Sequence, residues 1–153
     1  VIDFPAALDV LARGDRDRVA GPRAAELLAA CTELGLTVVL ATSGTKDDLE
    51  WMLPAIGAPD GVVAGVTTSA DVEAGKPHPD LLEAALRDHG LDRGRTVAVG
   101  DTVWDVESAR KAGVETVCVL TGGFSEQELR DAGATTVFES VEELRRRLAE
   151  TPL

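Results

Sequence analysis

An α/β fold on a parallel sheet is predicted by three features of this 153-residue chain. Apolar strand-like runs alternate with helix-period segments from about residue 22 onward, the rhythm of strand–helix–strand units. The runs Leu36–Ala41 and Thr96–Gly100 are apolar almost without interruption, as expected of strands covered on both faces. The polar residues with chemical potential (Thr42, Ser43, Lys76, Asp101 and Asp105) follow strands or precede helices, where open parallel sheets bind ligands.

Pro22 suits a helix N-terminus, Ala25, Leu27, Leu28, Cys31 and Leu34 recur at helical spacing, and Gly35 ends the run. After strand 36–41, Thr45 opens a helix with Asp48 as its reciprocal cap partner. Val62–Val66 reads as a short strand and Pro79–His89 as a helix. Beyond the Asp101 loop, Val106, Ala109 and Ala112 mark a helix ending at Gly113, and Thr116–Leu120 is the next strand. Ser125 and Glu128 form a capping box for a short helix ending near Gly133. Val137–Phe138 is a minor strand, and Ser140 with Glu143 caps a last helix running through Leu148. Residues 1–21, with the polar stretch Arg13–Arg18, fit this rhythm poorly and are set apart from a core at 22–153.

The formal net charge of −12 argues against a nucleic-acid backbone or an anionic membrane surface as partner, since both need a positive face. A small phosphorylated ligand remains compatible, because a metal ion and one Lys reverse the potential locally. Cys31 and Cys118 have neither paired spacing nor a nearby His, so two buried thiols are expected rather than a zinc site or a disulfide. No apolar stretch reaches a membrane-spanning length, and a reducing, cytoplasmic setting is the expectation.

Asp101 stands at the tip of an apolar strand, Gly100 permits a sharp turn there, and Asp105 follows four residues later. Two carboxylates about 5 Å apart repel by roughly 3 kcal/mol at an effective dielectric near 20. Such a pair calls for a proton or a hard cation such as Mg²⁺. Thr42 and Ser43 end one strand before a helix, where a hydroxyl and N-terminal amides suit an anion, although a plain turn and cap uses the same residues. Lys76 is one of few Lys in the chain and lies between Gly75 and Pro77, which fix its backbone. A hydroxyl, an ammonium and two carboxylates on one rim make a phosphate-plus-metal site.

In this order the residues resemble the haloacid dehalogenase-like hydrolase superfamily, and within it the phosphoglycolate phosphatase and β-phosphoglucomutase branch. Val38–Ser43 is similar to its second motif, Gly75–Asp80 to its third, and Gly100–Asp105 continuing through Gly113 to its fourth. Thr67–Glu73 and Thr121–Phe124 also look like this branch. The resemblance implies a Rossmannoid three-layer core and a Mg²⁺-dependent phosphatase acting on a small phosphate ester or sugar phosphate. It implies that Thr42 and the Ser43 amide bind the phosphoryl group and that Lys76 offsets its charge. Asp101 would ligate Mg²⁺, while Asp105 would act through water or orient Lys76. His78 would either touch substrate or serve the loop and helix start.

The family's nucleophile motif, Asp-x-Asp-Gly-Thr, has no counterpart in this sequence. Its nearest approach is Val1-Ile2-Asp3-Phe4-Pro5, with Asp3 as nucleophile and Pro5 where the acid/base belongs. Otherwise residues 1–21 are the remnant of a helical cap, and the central strand between those ending at Thr42 and Gly100 belongs to sequence not present here. Two strand edges would then be exposed and available for association. The rival expectation is a catalytically inactive module that binds a phosphorylated ligand or a protein.

Overall fold

The computed structural model describes residues 21–152, so Asp3 and all of the expected cap remnant but residue 21 lie outside the described residues. The first described element is helix α1 (Gly21–Glu33), followed by strand β1 (Val38–Ala41), helix α2 (Lys46–Ile56) and strand β2 (Val63–Thr67). Helix α3 (Asp80–Asp88) then leads to β3 (Val97–Gly100), α4 (Val103–Ala112) and β4 (Glu115–Val119). The chain continues through α5 (Glu126–Ala132), β5 (Thr136–Phe138) and α6 (Val141–Arg146). Single 3₁₀ turns lie at Ser69–Asp71, Arg93–Arg95 and Leu148–Glu150. The last helix thus stops at Arg146, short of the expected Leu148, and passes into 3₁₀ geometry.

The described strands form two parallel ladders, β1–β2 and β3–β4–β5. A ladder joining β1 to β3 is not among the described residues, and the first-strand candidate Val1–Phe4 lies outside them. Even so, both ladders feed the same two cores, because alternate residues of each strand point to opposite faces. On one face Val38 and Leu40 pack with Val97, Val99, Val117, Val119 and Phe138, closed over by Leu27 and Leu28 of α1 and Leu144 of α6. On the other, Val39, Ala41 and Ala98 pack with Leu81, Leu82 and Ala85 of α3 and Ala109 and Ala112 of α4. Helices on both faces of a parallel sheet give the expected three-layer α/β arrangement.

Local caps fix where these helices begin. Thr45 and Asp48 hold α2 reciprocally, as do Ser125 and Glu128 at α5. At α6 the Ser140 hydroxyl accepts from the Glu143 amide at 3.2 Å, the cap expected of this pair, and the Glu143 carboxylate accepts from the Glu139 amide at 2.8 Å. Cys31 and Cys118 are both free and buried, and burial pushes the Cys118 thiol up to about 12, leaving it inert. Among the described residues no helix is long and apolar enough to cross a membrane.

Candidate active site

Strand β3 delivers Asp101 to its carboxyl end, and α4 begins two residues later. Asp101 is only 3 % exposed and Asp105 4 %. The geometry of this turn comes from an N-terminal capping box: Thr102 Oγ1 accepts from the Asp105 amide at 3.2 Å, and Asp105 Oδ2 accepts from the Thr102 amide at 2.9 Å and the Thr102 hydroxyl at 2.7 Å. The same Oδ2 takes the Asp101 amide at 3.1 Å. A side chain at residue 100 would place its Cβ 2.5 Å from that of Asp105, so only Gly100 allows the carboxylate to fold back so closely. The sequence pattern Thr-x-x-Asp carried this cap, and the sequence reading assigned Asp105 without it.

The other oxygen of Asp105 meets Lys76. Lys76 Nζ lies 2.7 Å from Asp105 Oδ1, with the two side chains 9 % and 4 % exposed. Helix α4 also grips the backbone after Lys76. The Ser108 hydroxyl donates to the His78 carbonyl and the Lys111 ammonium to the Pro77 carbonyl, each at 2.8 Å. Asp105, Ser108 and Lys111 lie at intervals of three on the helix and so face one way. They hold Lys76, His78 and Pro77 respectively. His78 itself is exposed, and its described hydrogen bonds are made by its backbone.

Asp101 has a different environment on each oxygen. Oδ2 accepts from the Thr121 hydroxyl at 2.8 Å, whereas Oδ1 is buried with no hydrogen-bond partner among the described residues. Burial, and then the neighbouring Asp105 charge, push the Asp101 carboxyl up to about 6, against the lowering effects of the Thr121 hydroxyl and Lys76. Thr121 follows β4, which runs beside β3 in register Gly100 with Cys118. Its loop presses on Asp101 so tightly that a Cβ on Gly122 would come within 2.1 Å of the Asp101 carbonyl oxygen. Sequence reasoning grouped Thr121–Phe124 by likeness but gave Thr121 no role.

The Thr42 end of the rim is joined through loops. Thr42 is buried, its amide donates to the Thr67 carbonyl at 2.9 Å, and its Oγ1 accepts from the Gly44 amide at 3.0 Å. The Ser69 hydroxyl and amide both donate to the Gly44 carbonyl, at 3.0 and 3.2 Å, tying the loops after β1 and β2 together. Ser43 is exposed in this turn. Lys76, Asp101 and Asp105 are therefore in one contact network, while Thr42 is placed beside it at a strand end.

For a hard divalent cation the donor set divides. Asp101 Oδ1, anionic and without a partner, fits as a ligand, whereas both oxygens of Asp105 are already committed to the cap and to Lys76. Among the described residues no three His, Cys, Asp or Glu side chains gather to cage a metal. Mg²⁺ suits such a site, since it keeps several waters and uses one or two carboxylates plus ligand phosphate.

A family model for HAD-hydrolase-like proteins matches residues 73–144, which includes Lys76, Asp101 and Asp105. Phosphonoacetaldehyde hydrolase from Bacillus thuringiensis (strain Al Hakam) is 28 % identical over 135 residues, covering 82 % of this chain and 49 % of its own length. Among solved structures, a hydrolase from Pseudomonas syringae is 35 % identical with a TM-score of 0.77, covering 84 % of this chain and 60 % of that one. A HAD family hydrolase from Deinococcus radiodurans, solved with bound phosphate and sodium, is 28 % identical with a TM-score of 0.75, covering 84 % and 58 %. The chain spans about half the length of the curated relatives it matches.

Proposed function

We propose that this chain, which belongs to the haloacid dehalogenase-like hydrolase superfamily, is the core portion of a Mg²⁺-dependent phosphatase acting on a small phosphate ester or sugar phosphate. The observation carrying this reading is the buried Lys76–Asp105 ion pair beside an Asp101 carboxylate with one unpartnered oxygen. A fixed ammonium and a buried anionic oxygen side by side suit a phosphoryl group and its counter-ion better than they suit the fold alone. The phosphate held by the Deinococcus relative makes phosphate-like anions the natural probes.

In this reading Asp105 orients Lys76 rather than binding metal, and the ammonium neutralises charge on the phosphoryl oxygens. Thr42 Oγ1 accepts from Gly44, which leaves its own proton to donate to a phosphoryl oxygen, with the Ser43 amide beside it. Asp101 Oδ1 would hold Mg²⁺, which when bound adds positive charge against the phosphoryl oxygens. The nucleophile is assigned to none of these residues, and Asp3, the sequence candidate, lies outside the described residues. The rival to be separated from it by experiment is the phospho-ligand-binding module without turnover.

Binding of tungstate in the presence of Mg²⁺, followed by calorimetry, tests the site. Lys76→Ala should weaken it by about tenfold or more, the worth of one charge-assisted contact. Lys76→Arg should recover little, since a planar fork does not replace a compact ammonium. Parent-like affinity in Lys76→Ala would make Lys76 structural and end the phosphate reading. Hydrolysis of p-nitrophenyl phosphate with a phosphoenzyme on Asp3 supports the phosphatase, whereas tungstate binding without turnover supports the module.

A further inference from the structure

We infer that Thr121 is a positioning residue that makes Asp101 a one-oxygen ligand and thereby sets the site's preference for Mg²⁺ over Ca²⁺; this rests on the metal reading above. The two oxygens of Asp101 differ: Oδ2 takes the Thr121 hydroxyl at 2.8 Å, and Oδ1 is buried without a hydrogen-bond partner. A carboxylate pinned in this way offers a cation one lone-pair set in one orientation. Mg²⁺ demands near-ideal octahedral geometry and single-oxygen contacts, whereas larger Ca²⁺ accepts carboxylates through both oxygens and tolerates irregular shells. Holding Oδ2 in a hydrogen bond therefore raises the cost of the two-oxygen mode that Ca²⁺ uses.

The backbone around Thr121 keeps that hydroxyl in place. β4 pairs with β3 up to Cys118 beside Gly100, and the following loop lies on Asp101 at a distance that leaves no room for a Cβ at residue 122. Farther along the same loop, Phe124 meets Trp104 of α4 edge to face with ring centroids 5.3 Å apart. The loop is thus fastened at both ends to the segment carrying Asp101, and Thr121 has little freedom to turn away. Hydrogen-bond partners of metal-binding side chains are worth roughly 10- to 100-fold in metal affinity.

Titration calorimetry of the full chain with Mg²⁺ and, separately, with Ca²⁺ tests the inference, using the parent, Thr121→Val and Thr121→Ser. Valine keeps the shape and deletes the donor, and serine keeps the donor. Thr121→Val should lose about tenfold in Mg²⁺ affinity with a smaller loss, or a gain, for Ca²⁺, and Thr121→Ser should restore the parent's ratio. Urea unfolding of each variant reports whether the fold is intact. An unchanged Mg²⁺-to-Ca²⁺ ratio in Thr121→Val, whether both affinities fall together or neither falls, overturns the positioning role and leaves the metal site standing. A parent chain that binds neither ion overturns the metal site and this inference with it.

Discussion

Asp101 should weaken the fold that holds it, and removing its charge should make the metal-free protein more stable at neutral pH. Its carboxyl is raised from the ordinary 3.8 to about 6, chiefly by burial. About two units at about 1.4 kcal/mol each place the cost of ionising it in the folded chain near 3 kcal/mol. The sign follows from proton binding. Between about pH 4 and pH 6 the folded state holds a proton on Asp101 that the unfolded state has released, so this group makes stability fall as pH rises. Well below pH 4 both states are protonated and the penalty disappears. Asp101→Asn cannot ionise, and its amide oxygen can still accept from Thr121. Its amide nitrogen enters the position of the unpartnered Oδ1 and costs about 1 kcal/mol at every pH. The variant should therefore be about 2 kcal/mol more stable than the parent near pH 7 and about 0.5 kcal/mol less stable near pH 4. Urea denaturation followed by circular dichroism, with a chelator present, measures both curves; contributions from carboxylates remote from Asp101 cancel in the difference. Two parallel curves, separated by the same amount at pH 4 and pH 7, would refute the reasoning, because the buried carboxyl would then carry no ionisation penalty.

Two substitutions test how the site is built. Asp105→Asn removes the charge that meets Lys76 at 2.7 Å where both side chains are more than nine-tenths buried, and should cost about 3 kcal/mol in urea unfolding at neutral pH. A loss below about 0.5 kcal/mol, the range of an ordinary surface change, would mean that the pair holds nothing together. Gly122→Ala forces a Cβ to within 2.1 Å of the Asp101 carbonyl oxygen and should cost about 2 kcal/mol while lowering Mg²⁺ affinity, since the Thr121 loop must lift. Gly75→Ala, where nothing lies within 4 Å of the added Cβ, is the control and should stay within about 0.5 kcal/mol of the parent.

The order of elements was legible from residues that act on near neighbours. The apolar runs at 36–41 and 96–100 hold the buried strands Val38–Ala41 and Val97–Gly100, and Thr45 with Asp48 and Ser125 with Glu128 became reciprocal caps, because period and cap are settled within a turn or two of chain. The Ser140 cap on the Glu143 amide is legible for the same reason, whereas the Glu143 carboxylate taking the Glu139 amide is a choice between adjacent donors that spacing does not make. Asp105 was identified for its charge, while its capping partner Thr102 stood unread in the same six residues.

By itself the sequence determined which groups stand beside strand ends and helix starts: Thr42, Lys76, Asp101 and Asp105 are each placed by a local strand, turn or helix start. Tertiary structure alone decided how those groups are used. The meeting of Lys76 with Asp105, the grip of Ser108 and Lys111 on the loop after Lys76, and the hydroxyl of Thr121 on one oxygen of Asp101 join residues 20 to 34 positions apart. Such contacts depend on which strands pair and on how far each loop reaches before it packs. Only the assembled sheet fixes those distances, so only the fold separates an oxygen committed to a hydrogen bond from one left for a ligand.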